Sequence, residues 1–334
     1  MPAPPVRLCY PRVMWDGCDL VVVEPGFRPC RPAAAIYDPK ANSWSAMAAP
    51  PTVTGQVPAA GSGGGMVVLV SPQTGAAVTW SAATSRWHEI ARLPSRDAVS
   101  VGWTGSKILA ITAGMTGLNR GTAHAFALTG GNWTRLPDLP EPRIGRIVSA
   151  PTATDNGAVY VLAADNVSRT NPNDMYNSGE VELLRLTPAA WTAVPSFAGP
   201  PLSQLELTPV DGAILAAGSS CPGLGPCTIE HGAATLLRPG ANPTAIPLNP
   251  ALGVPYARDI AGGARAVVVT YSEGLGSLGL GPPAGSTLID NISGGTWLRG
   301  PTAPDAPAGR AAYWTPYGVV SLADTGGWLL RPAR

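Results

Sequence analysis

Six arginines recur at one kind of place along the chain. Arg12, Arg96, Arg143, Arg258 and Arg310 each follow a short proline-bearing segment and stand at the start of an apolar run, and Arg146 comes three residues after Arg143. A guanidinium stays charged at any physiological pH and offers a planar pair of N–H donors, which suits a carboxylate. Arginines repeated in this way predict an anion-holding surface, provided the fold brings them to one mouth. The competing expectation is structural: each arginine bonds nearby carbonyls or a neighbouring carboxylate, and Asp97 and Asp259 directly follow two of them.

Three long segments without apolar periodicity add polar groups: 163–180, 218–232 and 272–285. The first carries Asp165, Asn166, Arg169, Asn171, Asn173, Asp174 and Tyr176, of which Asn166, Arg169 and Tyr176 suit a polar ligand. The second ends in Glu230-His231 and the third begins with Ser272-Glu273. Glu273, Glu230, His231 and Asp174 are the candidate acids and bases, since general acid–base work needs groups of this type within hydrogen-bond reach of a substrate. Long segments of this kind in compact folds are either functional or inert connectors.

Other chemistries have weaker footing. His88, His124 and His231 are the only histidines, and the first two fall in apolar runs, where a structural role is expected. A single remaining histidine cannot build a histidine-rich metal site, so neither a metal nor a cofactor is expected. No phosphate loop, Gly-x-Ser-x-Gly elbow, HExxH or Cys-x-x-Cys pair occurs. The formal net charge of +1 gives no reason to expect nucleic acid as a partner. No apolar run approaches the ~20 residues of a membrane helix.

Positioning these groups falls to short strands. With 40 glycines and 37 prolines among 334 residues, no stretch is long enough for a helical domain. The ten tryptophans and the Val, Leu and Ile runs can still bury a core. One unit recurs throughout: an apolar strand, a turn, a tryptophan strand, then prolines. It occurs at 33–51, 76–96, 123–143, 182–201, 234–250 and 286–310. Its marker positions Trp44, Trp87, Trp133, Trp191, Thr244 and Trp297 are 43 to 58 residues apart. Large aromatics at such positions are expected between neighbouring units rather than in a site. A period near 50 with four short strands per unit predicts an all-β fold, a seven-bladed β-propeller in a single domain over 1–334. Blades are expected near 11–47, 52–90, 96–136, 143–195, 201–248, 258–299 and 310–334. The last has only three strands of its own, and an N-terminal strand at 6–10 is expected to complete it and close the ring. Six or eight blades remain alternatives.

The phrases IYDPKANSW (36–44) and PEPRIG (140–145) resemble the Kelch-repeat family of β-propellers, and the resemblance spans almost the whole chain. It implies an architecture like the central domain of galactose oxidase without its copper site, because two histidines and a cysteine-linked tyrosine cannot be placed. Kelch repeats usually end their second strand in a double glycine, whereas here Ala113-Gly114, Ala217-Gly218 and Val70-Ser71-Pro72 stand there. In Kelch proteins that bind acidic ligands, arginines at this place in the repeat contact carboxylates.

Two functions follow as expectations. The first is a propeller binding a polar or anionic ligand (a carboxylate, an acidic peptide or a sugar) at an arginine-lined channel mouth. The alternative is a metal-independent isomerase, lyase or hydrolase using the same face. Expected partners are a small polar or acidic ligand or a protein or peptide, with the chain a monomer and no membrane insertion. As written, the start lacks a basic region followed by an apolar one, which predicts a cytoplasmic protein, or an extracellular one if a signal peptide was removed. The five cysteines (Cys9, Cys18, Cys30, Cys221 and Cys227) are an odd number and favour thiols, although Cys221 and Cys227 bracket a loop that a disulfide could close.

Overall fold

The computed structural model describes all residues except 8–10, 27–30, 52–57, 96–97, 114–122, 141–145, 148–149, 155–156, 165–180, 196–203, 211, 221–230, 239–240, 247–256, 263–266, 273–284, 292–295, 300–310, 324–325 and 332–334. For residues 257–299 it describes the backbone alone. Every regular element among the described residues is a β-strand, and the strands fall into seven antiparallel sheets in chain order.

The first sheet holds β1 (Arg12–Trp15), β2 (Leu20–Glu24), β3 (Ala33–Asp38) and β4 (Ser43–Met47). The second holds β5 (Ala59–Gly63), β6 (Met66–Val70), β7 (Ala77–Ser81) and β8 (Arg86–Ile90). The third holds β9 (Ala98–Trp103), β10 (Ile108–Ala113), β11 (His124–Thr129) and β12 (Asn132–Arg135). In the fourth, two short pieces, β13 (Arg146–Ile147) and β14 (Thr152–Ala153), both pair with β15 (Val159–Ala164), followed by β16 (Val181–Leu186) and β17 (Trp191–Ala193). The fifth holds β18 (Gln204–Val210), β19 (Ala213–Ser220), β20 (His231–Leu237) and β21 (Thr244–Ile246). The sixth holds β22 (Ala257–Gly262), β23 (Val267–Ser272), β24 (Gly285–Asn291) and β25 (Thr296–Arg299). The seventh has three described strands, β26 (Ala311–Thr315), β27 (Gly318–Ala323) and β28 (Gly326–Leu330).

First strands meet first strands. β1 touches β5, β5 touches β9, β9 touches β14, β14 touches β18, β18 touches β22, β22 touches β26, and β26 touches β1. Neighbouring first strands point the same way. At their starts the Arg12 Nε–H donates to the Pro58 carbonyl at 3.1 Å, and at their ends the Ser62 hydroxyl donates to the Trp15 carbonyl at 2.7 Å. The Tyr313 hydroxyl donates to the Val13 carbonyl, joining the seventh sheet to the first.

The core lies between sheets. Second strands such as Leu20–Glu24 are buried on both sides, which explains their unbroken Val and Leu runs. Between sheets one and two sit Met14, Val21, Val67 and Trp80, and between three and four sit Leu109, Ile111, Val161 and Trp191. The repeat tryptophans do two jobs at these seams. Their rings join the inter-sheet clusters, and their indole N–H groups donate to a carbonyl of the connection leaving the preceding fourth strand. Trp87 reaches Ala48 at 2.8 Å, Trp133 reaches Ala91 at 2.9 Å and Trp191 reaches Pro137 at 3.1 Å. Trp44 makes the same bond to Pro2 at 2.9 Å.

That last bond bears on the expected closing strand at 6–10. Pro2 accepts the Trp44 bond as Ala48, Ala91 and Pro137 accept theirs from the other tryptophans. Val6 and Arg7 are not in a strand, and 8–10 lie outside the described residues. Met1 and Val6 pack against the buried cluster of Val13, Leu20, Val22, Tyr37, Val320 and Leu322 between the first and seventh sheets.

Local sequence explains the turns. In Asp38-Pro-Lys-Ala-Asn42 the Asp38 carboxylate accepts from the Lys40 and Ala41 N–H groups, Asn42 takes a left-handed φ of 52°, and the buried Tyr37 hydroxyl donates to Asn42 Oδ1 at 2.7 Å. In the first, third, fourth and seventh sheets the turn from first to second strand opens on Asp or Thr. Asp16 accepts from the Cys18 and Asp19 N–H groups, while the Thr104, Thr154 and Thr315 hydroxyls donate to the Lys107, Ala158 and Gly318 carbonyls.

Candidate functional site

The seven sheets present two ends. At one, first strands begin and second strands hand over to third strands; the expected arginine mouth belongs there. Arg12 is the first residue of β1 and Arg146 the first of β13, while Arg258 is the second residue of β22. His231 opens β20, opposite Ser220, and so shares this end. For Arg146, Arg258 and His231 the placement is that of the backbone. Arg96, Arg143, Arg310, Asn166, Arg169, Tyr176, Asp174, Glu230 and Glu273 lie outside the described residues. Of the cysteines, Cys18 is exposed and free, and Cys9, Cys30, Cys221 and Cys227 lie outside the described residues.

Arg12 shows how one such guanidinium is held. Its Nε–H is spent on the Pro58 carbonyl of the neighbouring sheet, which fixes the plane of the group, and among the described residues its two Nη groups have no partner. Loss of water around the side chain draws its pKa below the ordinary arginine value, with nearby Tyr313 opposing, yet the residue keeps an exposed surface. An anchored, partly dried guanidinium with open donors can take a carboxylate or another oxyanion at little ordering cost.

A second group on this end was expected to be structural only. His124 opens β11, and its Nδ1 lies 2.9 Å from Asp138 Oδ1. Arg135 grips the same carboxylate from Nε at 3.2 Å and from Nη2 at 2.6 Å. The Arg135 bonds, followed by those of His124, hold the Asp138 carboxyl below the usual carboxylate range despite some loss of water. The Gly130-Gly131 hairpin fixes this meeting: with Phe126 opposite Arg135, His124 comes to lie beside the segment that follows β12. Pro137 turns that segment, and Asp138 arrives at the imidazole. The glycine pair was the signal that could have found it.

At the opposite end, where first strands finish, a cavity of about 1010 Å³ opens between sheets three, four and five. Trp103, Lys107, Thr104, Thr152, Thr154 and Leu207 are among the residues that line it. Sequence reasoning looked only to the arginine end and missed it. Among the described residues no group of three or more His, Cys, Asp or Glu side chains could hold a metal ion.

No family model and no curated protein sequence matches this chain. Among solved structures it is similar to a chain of Kuenenia stuttgartiensis hydrazine synthase, with a TM-score of 0.62 and 11% sequence identity over 96% of this chain and 95% of that chain. Identity this low speaks for the fold alone. With the repeated antiparallel sheets, it fits an all-β, propeller-type architecture for this chain.

Proposed function

We propose that this chain is a seven-bladed, Kelch-like propeller that binds a polar or anionic ligand at the arginine end of its central channel. Seven sheets in chain order and the contact between β26 and β1 support the blade number and a ring whose last seam is covered by the N-terminal segment. The Tyr37–Asn42 and Asp38 bonds give the Kelch-like phrase IYDPKANSW a physical role in the turn between third and fourth strands.

The observation that carries the functional reading is Arg12: anchored through Nε, with its Nη groups open at the start of a first strand. Arg146 and Arg258 stand at the corresponding place in their strands. The ligand class is a carboxylate, an acidic peptide or an acidic sugar, which planar donor pairs recognise. The test is calorimetric titration with citrate and with a hexaglutamate peptide. The double variant Arg146→Ala, Arg258→Ala should weaken binding at least tenfold while leaving the melting temperature in place. Equal affinity in wild type and variant removes the proposal.

The enzyme reading has one observation in its favour. His124, whose Nδ1 lies 2.9 Å from Asp138 Oδ1 and 3.0 Å from Arg135 Nη2, is an imidazole fixed in place on the same end, as a proton-transfer group must be. His124→Gln should then abolish turnover of a substrate that Arg12→Lys binds more weakly.

A further inference from the structure

The cavity at the far end has a cause that can be read residue by residue. Three first strands finish on tryptophan: Trp15 in β1, Trp103 in β9, and Trp314 one residue before the end of β26. Each is followed by the Asp or Thr that opens the turn. Trp103 leans back over the preceding sheet, so close that a Cβ on Gly63 would meet its ring at 2.1 Å. Trp15 likewise joins the cluster shared with the preceding seventh sheet.

In the fourth sheet that position is Ala153, followed by Thr154. Ala153 faces the same way, onto the cluster between sheets three and four, but it has no indole to fill the end of that seam. The space left is the cavity. Leu109, Ala127, Leu136, Val159 and Leu186 are among its apolar lining, with Leu207 and Pro209 contributed by β18. Trp103, Lys107 and the Thr104, Thr152 and Thr154 side chains complete the lining, the three hydroxyls donating to backbone carbonyls.

Lys107 is one of two lysines in the chain and is exposed, and among the described residues no carboxylate pairs with it. A pocket of this size with apolar walls and a few polar groups at one end matches the ordinary build of small-molecule sites, roughly 300–1,000 Å³.

We propose that this cavity is a ligand site distinct from the arginine end, taking an amphipathic monocarboxylate. The acyl or aryl body would lie along Leu109, Val159 and Leu186 beside Trp103, and the carboxylate would meet the Lys107 ammonium, since the Thr104, Thr152 and Thr154 hydroxyls already donate to backbone carbonyls. A compact ammonium makes a point contact with a single anionic head and does not need the planar geometry of arginine. Displacement of water from the apolar wall supplies most of the affinity. The charge sets which end of the ligand faces out.

The probes are decanoate and decylamine, followed by calorimetry and by tryptophan fluorescence on the full chain. Decanoate should bind at micromolar to low millimolar concentration and shift the emission of Trp103, an effect lost in Trp103→Phe. Lys107→Gln should weaken decanoate roughly two- to fivefold, as expected for losing an exposed ion pair. Ala153→Trp, which places there the indole that the first, third and seventh sheets carry, should abolish binding and raise the melting temperature. Asp155 follows Thr154 in sequence, and Asp155→Asn should leave decanoate affinity equal or higher. Decanoate binding unchanged in both Lys107→Gln and Ala153→Trp overturns the proposal. So does tighter binding of decylamine than decanoate, or its loss in Asp155→Asn, which would mark a cationic ligand. Arg146→Ala, Arg258→Ala should leave decanoate binding unchanged, so the fate of this site is separate from that of the arginine end.

Discussion

Replacing Trp191 by phenylalanine tests whether the repeat tryptophans staple one sheet to the next. Trp191 is 4% exposed, sits in the cluster between sheets three and four, and donates from Nε1 to the Pro137 carbonyl at 3.1 Å. Phenylalanine keeps one ring but loses the N–H and the second ring. The lost hydrogen bond costs about 1 kcal/mol. The missing contact area and the small void cost about 1–2 kcal/mol more. A total of roughly 2–3 kcal/mol should lower the urea midpoint by about 0.5–1 M. Trp133 supplies the control: it makes the same bond to Ala91 at 2.9 Å, but its side chain is only half-buried. Trp133→Phe should therefore cost about half as much. Equilibrium unfolding in urea, followed by circular dichroism, measures both. The staple argument is refuted if Trp191→Phe shifts the midpoint by less than 0.2 M, a threshold of ~0.5 kcal/mol, or if both variants shift it equally.

Two further outcomes are expected. Asp138 has a folded pKa below its unfolded value, so its contribution is present above about pH 4 and is lost as pH falls through the lower folded value. Asp138→Asn should flatten the stability profile in that acid window by under ~1 kcal/mol, since the pair is partly exposed, and urea midpoints from pH 6 to pH 2 would show it. Gly102→Ala would put a Cβ 1.9 Å from the Pro151 carbonyl oxygen, forcing β9 and the fourth sheet apart. It should cost several times what Gly105→Ala costs, where the space is open and the φ of +80° sets a penalty of about 1 kcal/mol.

Much of the fold is legible in the sequence because each turn carries its own chemistry. Ala33–Asp38 and Ser43–Met47 are the apolar strand and the tryptophan strand of the unit read at 33–51, and Asp38 and Asn42 fix the turn between them. The turn between the third and fourth strands of the third sheet carries its own chemistry likewise, Gly130-Gly131 having φ of 57° and 81°. The break in the first strand of the fourth sheet is not legible in the sequence: four residues lie between Ile147 and Thr152, while two lie between their partners Ala163 and Tyr160. Pro151 has no N–H for the ladder, and such an offset depends on the neighbouring sheet, where Gly102 makes room.

The candidate site was legible to a lesser degree. Arg12, Arg146 and Arg258 do fall at the starts of first strands, because a strand start can be placed from local sequence alone. What their side chains meet depends on the next sheet: the Pro58 carbonyl that anchors Arg12 is 46 residues away. The far-end cavity was invisible for a related reason. Ala153 is unremarkable until Trp15 and Trp103 are aligned with it through the sheets.

The central claim is that the starts of the first strands form an anion site. A crystal structure grown with citrate tests it most directly. A carboxylate is expected within hydrogen-bond distance of Arg12 Nη and of at least one of Arg146 and Arg258. Citrate absent from that end, with these guanidinium groups turned onto backbone carbonyls of their own sheets, would contradict it.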